Sequence, residues 1–188
     1  NNSDIYTYDF ETSKVERWTE SELGGIVATN LSEPSLIKWK SFDGLEISGF
    51  YYKASDKFKG KRPVIINIHG GPEGQSQPGF QGRTNYFLDE LGVAVIYPNV
   101  RGSTGYGKTF VKLDNGMLRE NSVKDIGALL DWIATQPELD AERIMVMGGS
   151  YGGYMTMAAM TFTPDEFKVG VNIFGVTNWL RTLKSIPP

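Results

Sequence analysis

One serine stands among four glycines in Gly148-Gly149-Ser150-Tyr151-Gly152-Gly153. The spacing Gly148-x-Ser150-x-Gly152 is that of a nucleophile elbow, a sharp strand-to-helix turn that holds a serine hydroxyl at its tip. The glycines have a steric reason: the turn strains the serine backbone, and side chains beside it would strike the incoming helix. A helix starting behind Ser150 aims N–H groups and the positive end of its dipole at the same spot, which suits a developing oxyanion. Two other readings stand beside this one. Glycine-rich turns between strand and helix are common in α/β proteins, and a five-residue pattern arises by chance; the strand–turn–helix setting favours the nucleophile. A phosphate-binding loop fails, because no Lys-Ser or Lys-Thr pair closes it.

An acyl-transfer site needs a second oxyanion donor. The residue after the nucleophile supplies one, the N–H of Tyr151, and a loop of His-Gly-Gly type after an earlier strand supplies the other. Here that loop is His69-Gly70-Gly71-Pro72, with Gly71 N–H as the candidate. His69 is the only histidine, which invites a general-base role. Its place at the end of an apolar strand favours a ring that braces the oxyanion loop instead. The usual order, serine then acid then histidine, puts the base after Ser150, where the sequence has none. The carboxylates after Ser150 are Asp165 and Glu166, in what reads as a solvated turn. Arg101, in Asn99-Val100-Arg101-Gly102-Ser103-Thr104-Gly105, has two readings: a guanidinium fork for a substrate carboxylate, or, preferred, a tie between loops made together with Asn99.

The elements that would position these groups follow from hydrophobic period. Pro63–Ile68, Val93–Tyr97, Arg143–Met147 and Val169–Phe174 are short apolar runs, as expected of strands covered on both faces. Between them Thr84–Leu91 reads as a helix stopped by Gly92. A second helix follows, with Ser122-x-x-Asp125 as a capping box and Val123, Ile126, Leu130 and Ile133 on one face. A third, after the elbow, covers Met155–Thr161. Strand–helix alternation implies a parallel sheet with right-handed crossovers. Ligands then bind beyond the carboxyl ends of the strands, where the loops 69–74, 98–107 and 149–153 all lie. Upstream, Ser35–Phe42 and Glu46–Ala54 pair around Asp43-Gly44. Ile5–Phe10 and Val15–Thr19 make another hairpin, followed by a polar linker, 21–34.

The 188 residues, 40% hydrophobic with net charge −3, describe a globular chain and favour neither nucleic acid nor a membrane surface as partner. With no cysteine, a disulfide framework, a thiol nucleophile and a thiolate metal site are excluded, and a lone histidine does not support a histidine-based metal site. The Asn1-Asn2-Ser3 start and the Ile186-Pro187-Pro188 end both read as cuts through something larger, so compartment is not legible.

With these residues in place the chain resembles the prolyl oligopeptidase family of serine peptidases, on its acylaminoacyl-peptidase and dipeptidyl-peptidase side. The resemblance runs through Pro63–Gly74, Asn99–Phe110, Asn121–Ala134 and Gly148–Gly153. It implies an α/β-hydrolase fold over residues 35–188, ending after about the sixth strand, with residues 1–34 as a β-propeller remnant and linker. It also implies Ser150 as nucleophile and the Tyr151 and Gly71 amides as oxyanion donors; Gly148, Gly152, His69 and Arg101 are read from the residues themselves as support. The family's catalytic Asp and His would lie beyond residue 188. The implied reaction is hydrolysis of short peptides without a metal or organic cofactor, and the implied partner is the remainder of the same hydrolase and propeller. Three alternatives stay open: an esterase on the same fold, a non-catalytic fragment binding through its sheet edge, and half of a split enzyme. The isolated chain is expected to be unstable or self-associating, since an incomplete sheet leaves apolar surface in water at roughly 25 cal/mol per Å².

Overall fold

The structure, a computed structural model, describes residues 3–27 and 31–185. The chain ends Asn1-Asn2 and Ile186-Pro187-Pro188, and linker positions 28–30, lie outside the described residues. Strands β1 (Tyr6–Asp9) and β2 (Lys14–Arg17) form a two-stranded antiparallel sheet of their own. Asp9 fixes the turn between them: its Oδ1 accepts from the main-chain N–H of Glu11 (2.8 Å) and Thr12 (2.9 Å).

The remaining strands make one six-stranded sheet. They are β3 (Pro34–Lys40), β4 (Glu46–Tyr52), β5 (Arg62–Ile68), β6 (Ala94–Asn99), β7 (Leu139–Gly149) and β8 (Val169–Ile173), in spatial order β3-β4-β6-β5-β7-β8. The β3–β4 and β4–β6 pairs are antiparallel; β6, β5, β7 and β8 run parallel. At the β3–β4 turn Gly44 takes φ +81°, open to glycine at no steric cost, and its N–H donates to Ser41 O at 2.9 Å. Helix α1 (Thr84–Asp89) joins β5 to β6. Helices α2 (Lys108–Val111) and α3 (Glu120–Thr135) join β6 to β7, with short 3-10 turns between them. Helix α4 (Tyr151–Phe162) joins β7 to β8, and α5 (Trp179–Ser185) follows β8.

The period-two alternation of β5 shows why its sequence is almost continuously apolar. Val64, Ile66 and Ile68 face a large core built with Ile126, Leu129 and Ile133 of α3 and Met155 of α4. Ile65 faces the other side, where Tyr52, Val95 and Leu88 of α1 close a smaller core. Each such side chain stabilises the fold by about 1.5–3 kcal/mol. The α/β-hydrolase fold is thus present over these residues, with helices on both faces of the sheet.

Three local expectations differ from what is found. Helix α3 starts at Glu120, so Ser122-x-x-Asp125 lies inside it and is no capping box; no side chain caps this helix. Both residues serve tertiary contacts instead. The helix after the elbow begins at Tyr151, four residues before Met155, because the glycines of its first turn pack against the strands. Strand β8 is exposed along its whole length, not covered on both faces. It forms the sheet edge, paired among the described strands only with β7.

Candidate active site

Ser150 sits at the turn between β7 and α4 with φ 55° and ψ −119°, a backbone conformation that costs a non-glycine residue on the order of 1–3 kcal/mol. The surroundings hold it there. Its N–H donates to Ile173 O of β8 (3.0 Å), and its carbonyl accepts from Gly153 (3.0 Å) and Tyr154 (3.2 Å). A Cβ on Gly148 would strike the backbone of Gly152, one on Gly152 would strike the Ile68 carbonyl, and one on Gly153 would lie 2.6 Å from Asn172 Oδ1. Bare backbone at these positions lets strand end and helix start nearly touch. The serine is left exposed above them, beside the start of α4, where the first N–H groups, those of Tyr151 and Gly152, have no carbonyl one turn earlier in the helix to bond.

The loop after β5 lies against this turn. A side chain on Gly70 would sit 3.3 Å from Gly149 O and 3.5 Å from Ser150 Cβ. Gly71 has φ +135°, and a Cβ there would lie 2.6 Å from the amide nitrogens of Glu73 and Gly74. The His69 ring turns away into the loops: Nδ1–H donates to Gly70 O (2.7 Å), and Nε2 faces Ser103 Oγ at 2.9 Å. Burial lowers the pKa of His69 below its ordinary value, and the Gly70 contact only partly opposes this. The neutral ring with hydrogen on Nδ1 fits both contacts. Ser103 O–H is then placed to donate either to Nε2 or to Val100 O at 2.6 Å.

The loop after β6 is tied to both neighbours. Asn99 accepts from Ser76 N–H (2.7 Å) and donates to Ser76 O and Tyr106 Oη (3.0 Å each). Thr104 N–H donates to Gly74 O at 2.9 Å. The Arg101 guanidinium is occupied by two carboxylates, Asp125 (Nη2–Oδ1 2.8 Å) and Asp43 (2.8 and 2.9 Å), with the Phe42 ring centroid 4.7 Å away. Those contacts raise its pKa against the effect of burial. A substrate carboxylate would have to displace one of them, so the geometry at Arg101 is that of a tie between loops. Asp165 and Glu166 lie in an exposed turn.

Sequence reading missed a group beneath the elbow. The Tyr151 side chain is buried, with its hydroxyl near Ser122 Oγ (3.1 Å), Asp114 Oδ2 (3.3 Å) and Arg119 Nη1 (3.4 Å). The one available signal was Ser122 itself, a polar residue on the apolar side of α3. Asp114 and Arg119 carry no motif.

Two strand ends, those of β7 and β5, therefore deliver to one place a strained, exposed serine, a helix N-terminus and a glycine loop against it. The family described as "Prolyl oligopeptidase family" matches residues 78–186, more than half of the chain. Dipeptidyl aminopeptidase BIII of Pseudoxanthomonas mexicana is 39% identical over 126 residues, 67% of this chain and 18% of that protein. Acylamino-acid-releasing enzyme of Arabidopsis thaliana is 36% identical over 119 residues, 62% of this chain and 15% of that protein. Among solved structures, Pyrococcus horikoshii acylaminoacyl peptidase superimposes with a TM-score of 0.82 at 31% identity, over 96% of this chain and 29% of that one. The chain thus spans under a third of the length of these relatives.

Proposed function

The chain belongs to the prolyl oligopeptidase family, and from that premise we propose that it carries the nucleophile and oxyanion half of a serine peptidase site acting on short peptides. Ser150 Oγ attacks the scissile carbonyl carbon, and its proton passes to a histidine outside residues 1–188. The N–H groups of Tyr151 and Gly71 receive the oxyanion. The C–N bond then breaks, the proton goes to the leaving amine, and an ester to Ser150 remains. Water adds to that ester in the same way and releases the acid. His69 has a supporting part, since its neutral ring is turned to Ser103 and Gly70. Residues 1–34 are read as the closing hairpin and linker of a preceding β-propeller. The separate two-stranded sheet there is in keeping with this.

The observation that carries the reading is Ser150 at φ 55° with Gly70 packed against its Cβ. A serine kept in that conformation and left exposed has no evident structural purpose. Relatives named dipeptidyl aminopeptidase and acylamino-acid-releasing enzyme support peptides with a free or acylated N-terminus as the substrate class. The test is a fluorophosphonate probe on the full-length protein, with hydrolysis of aminoacyl and acyl-aminoacyl anilides. Stoichiometric labelling at Ser150, and its loss together with turnover in Ser150→Ala, are expected. Labelling at another serine, or turnover that survives the substitution, overturns the reading.

A further inference from the structure

The amide of Tyr151 and its side chain leave the chain in different directions. While the N–H stands at the start of α4 next to the exposed Ser150, the residue as a whole is 2% exposed, and its phenol lies among polar groups of the stretch 114–122. Its O–H faces Asp114 Oδ2 (3.3 Å), which ends the 3-10 turn after α2, and Ser122 Oγ (3.1 Å) in the first turns of α3. Arg119, at the start of α3, donates to the same Asp114 oxygen at 2.6 Å and to the phenol oxygen at 3.4 Å, and its guanidinium lies 5.3 Å from the ring centroid. Ser122 Oγ donates in turn to Arg119 O at 2.8 Å. Burial pushes the Tyr151 phenol up to about 12, so it stays a neutral hydroxyl that can donate.

Asp114 is the costly member of this group. Its side chain is 1% exposed, and its Oδ1 has no hydrogen-bond partner among the described residues. The carboxylate occupies the space where Gly102, at φ +95°, would otherwise carry a side chain. A buried carboxylate oxygen without a partner is expensive, and a core that needed only volume would be better filled by apolar atoms. What the arrangement does provide is a buried carboxylate oxygen, Asp114 Oδ2, that accepts from both Arg119 and the hydroxyl of Tyr151, the one side chain adjacent in sequence to the nucleophile. The position of a main-chain N–H then depends on a side chain whose far end is fixed.

We propose that Asp114, with Arg119 and Ser122, is a positioning residue that holds the Tyr151 N–H on the oxyanion by gripping the Tyr151 hydroxyl from beneath. This rests on Ser150 and Tyr151 having the roles proposed above. An oxyanion donor contributes about 10²–10³-fold to turnover, so slackening its support without removing it is expected to cost a fraction of that.

The experiment measures kcat and KM for a peptide anilide, and the inhibition constant of a peptide aldehyde, on the full-length protein and its variants. The aldehyde forms a tetrahedral adduct with its oxygen in the oxyanion position. Active sites are titrated with a fluorophosphonate, so that rates refer to folded enzyme. Asp114→Asn is expected to lower kcat by about tenfold or more, leave KM within about twofold, and weaken the aldehyde by the same factor as kcat. Tyr151→Phe, which keeps the ring and removes only the hydroxyl, is expected to act in the same direction with a smaller loss; it decides the matter if Asp114→Asn does not fold. Unchanged kcat and aldehyde inhibition per titrated site, in whichever variant folds, overturns the positioning role. If Ser150→Ala keeps turnover, the nucleophile assignment falls and this proposal with it. If Ser150→Ala is inactive and these two variants are not impaired, the positioning role alone falls.

Discussion

The carbonyl oxygen of Ile68 stands where Gly152 would carry its Cβ. Strand β5 therefore ends directly under the first turn of α4, and Gly148 and Gly152 are not equivalent to Gly149. Around Gly149 the nearest atoms to a Cβ are those of the Phe174 ring, at 3.7 Å, which is ordinary contact. Gly148→Ala and Gly152→Ala are each expected to cost about 3 kcal/mol or more in urea unfolding, and Gly149→Ala less than about 1 kcal/mol. Equal costs at the three positions would contradict the packing described.

The strain at Ser150 gives a second expectation, one of opposite sign. Glycine accepts φ 55° with ψ −119° far more readily than any residue with a Cβ. Ser150→Gly is expected to be more stable than Ser150→Ala by about 1 kcal/mol while being equally inactive. Coincident unfolding curves for the two variants would show that the turn is relaxed.

Arg101 and Asp125 form a buried ion pair, with Asp125 fully inaccessible and also accepting from Ser41 Oγ at 2.5 Å. Removing Asp125 leaves the buried Arg101 guanidinium with only the part-exposed Asp43 as its carboxylate. Asp125→Ala is expected to destabilise by about 3–5 kcal/mol, and Arg101→Met in the same chain to recover a large part of that loss. A double-mutant cycle by chemical denaturation reads this directly, and additive losses would argue against the pair.

Asp43 predicts the acid limb. Hydrogen bonds from Arg101 hold its carboxyl at about 2, below its ordinary 3.8. A group depressed in the folded state binds protons more readily when unfolded. Its contribution is therefore complete above about pH 4 and lost as pH falls toward 2. Because the Asp43 side chain is 41% exposed, solvent screening makes the contribution small. Stability followed from pH 5 to pH 2 should fall less steeply in Asp43→Asn than in the parent, with the two curves converging near pH 2.

Strands and elbow were legible because each rests on a local rule: β5 is apolar on both faces because both are covered, and Gly148-x-Ser150-x-Gly152 is required by contacts within one turn. The Ser122–Asp125 spacing misled for the complementary reason. A capping box and a pair of tertiary anchors use the same residue types at the same separation. Only the fold reveals that Asp125 faces Arg101 and Ser122 faces Tyr151. Asp114 was invisible, since the space it fills belongs to Gly102 and nothing in either neighbourhood encodes the other. The apolar residues of β8 gave the pattern of an interior strand, although β8 lies at the edge.

Strand β5 lies between β6 and β7, both of which follow it in sequence. As the polypeptide leaves the ribosome, Val64–Ile66 can zip to β6 once Asn99 has emerged, but the other flank of β5 stays open until β7 is complete at Gly149, roughly fifty residues later. At about 5–20 residues per second this is an interval of several seconds. An apolar ladder, Val64–Ile66 against Ala94–Ile96, then has an unpaired side for as long as synthesis takes to deliver β7.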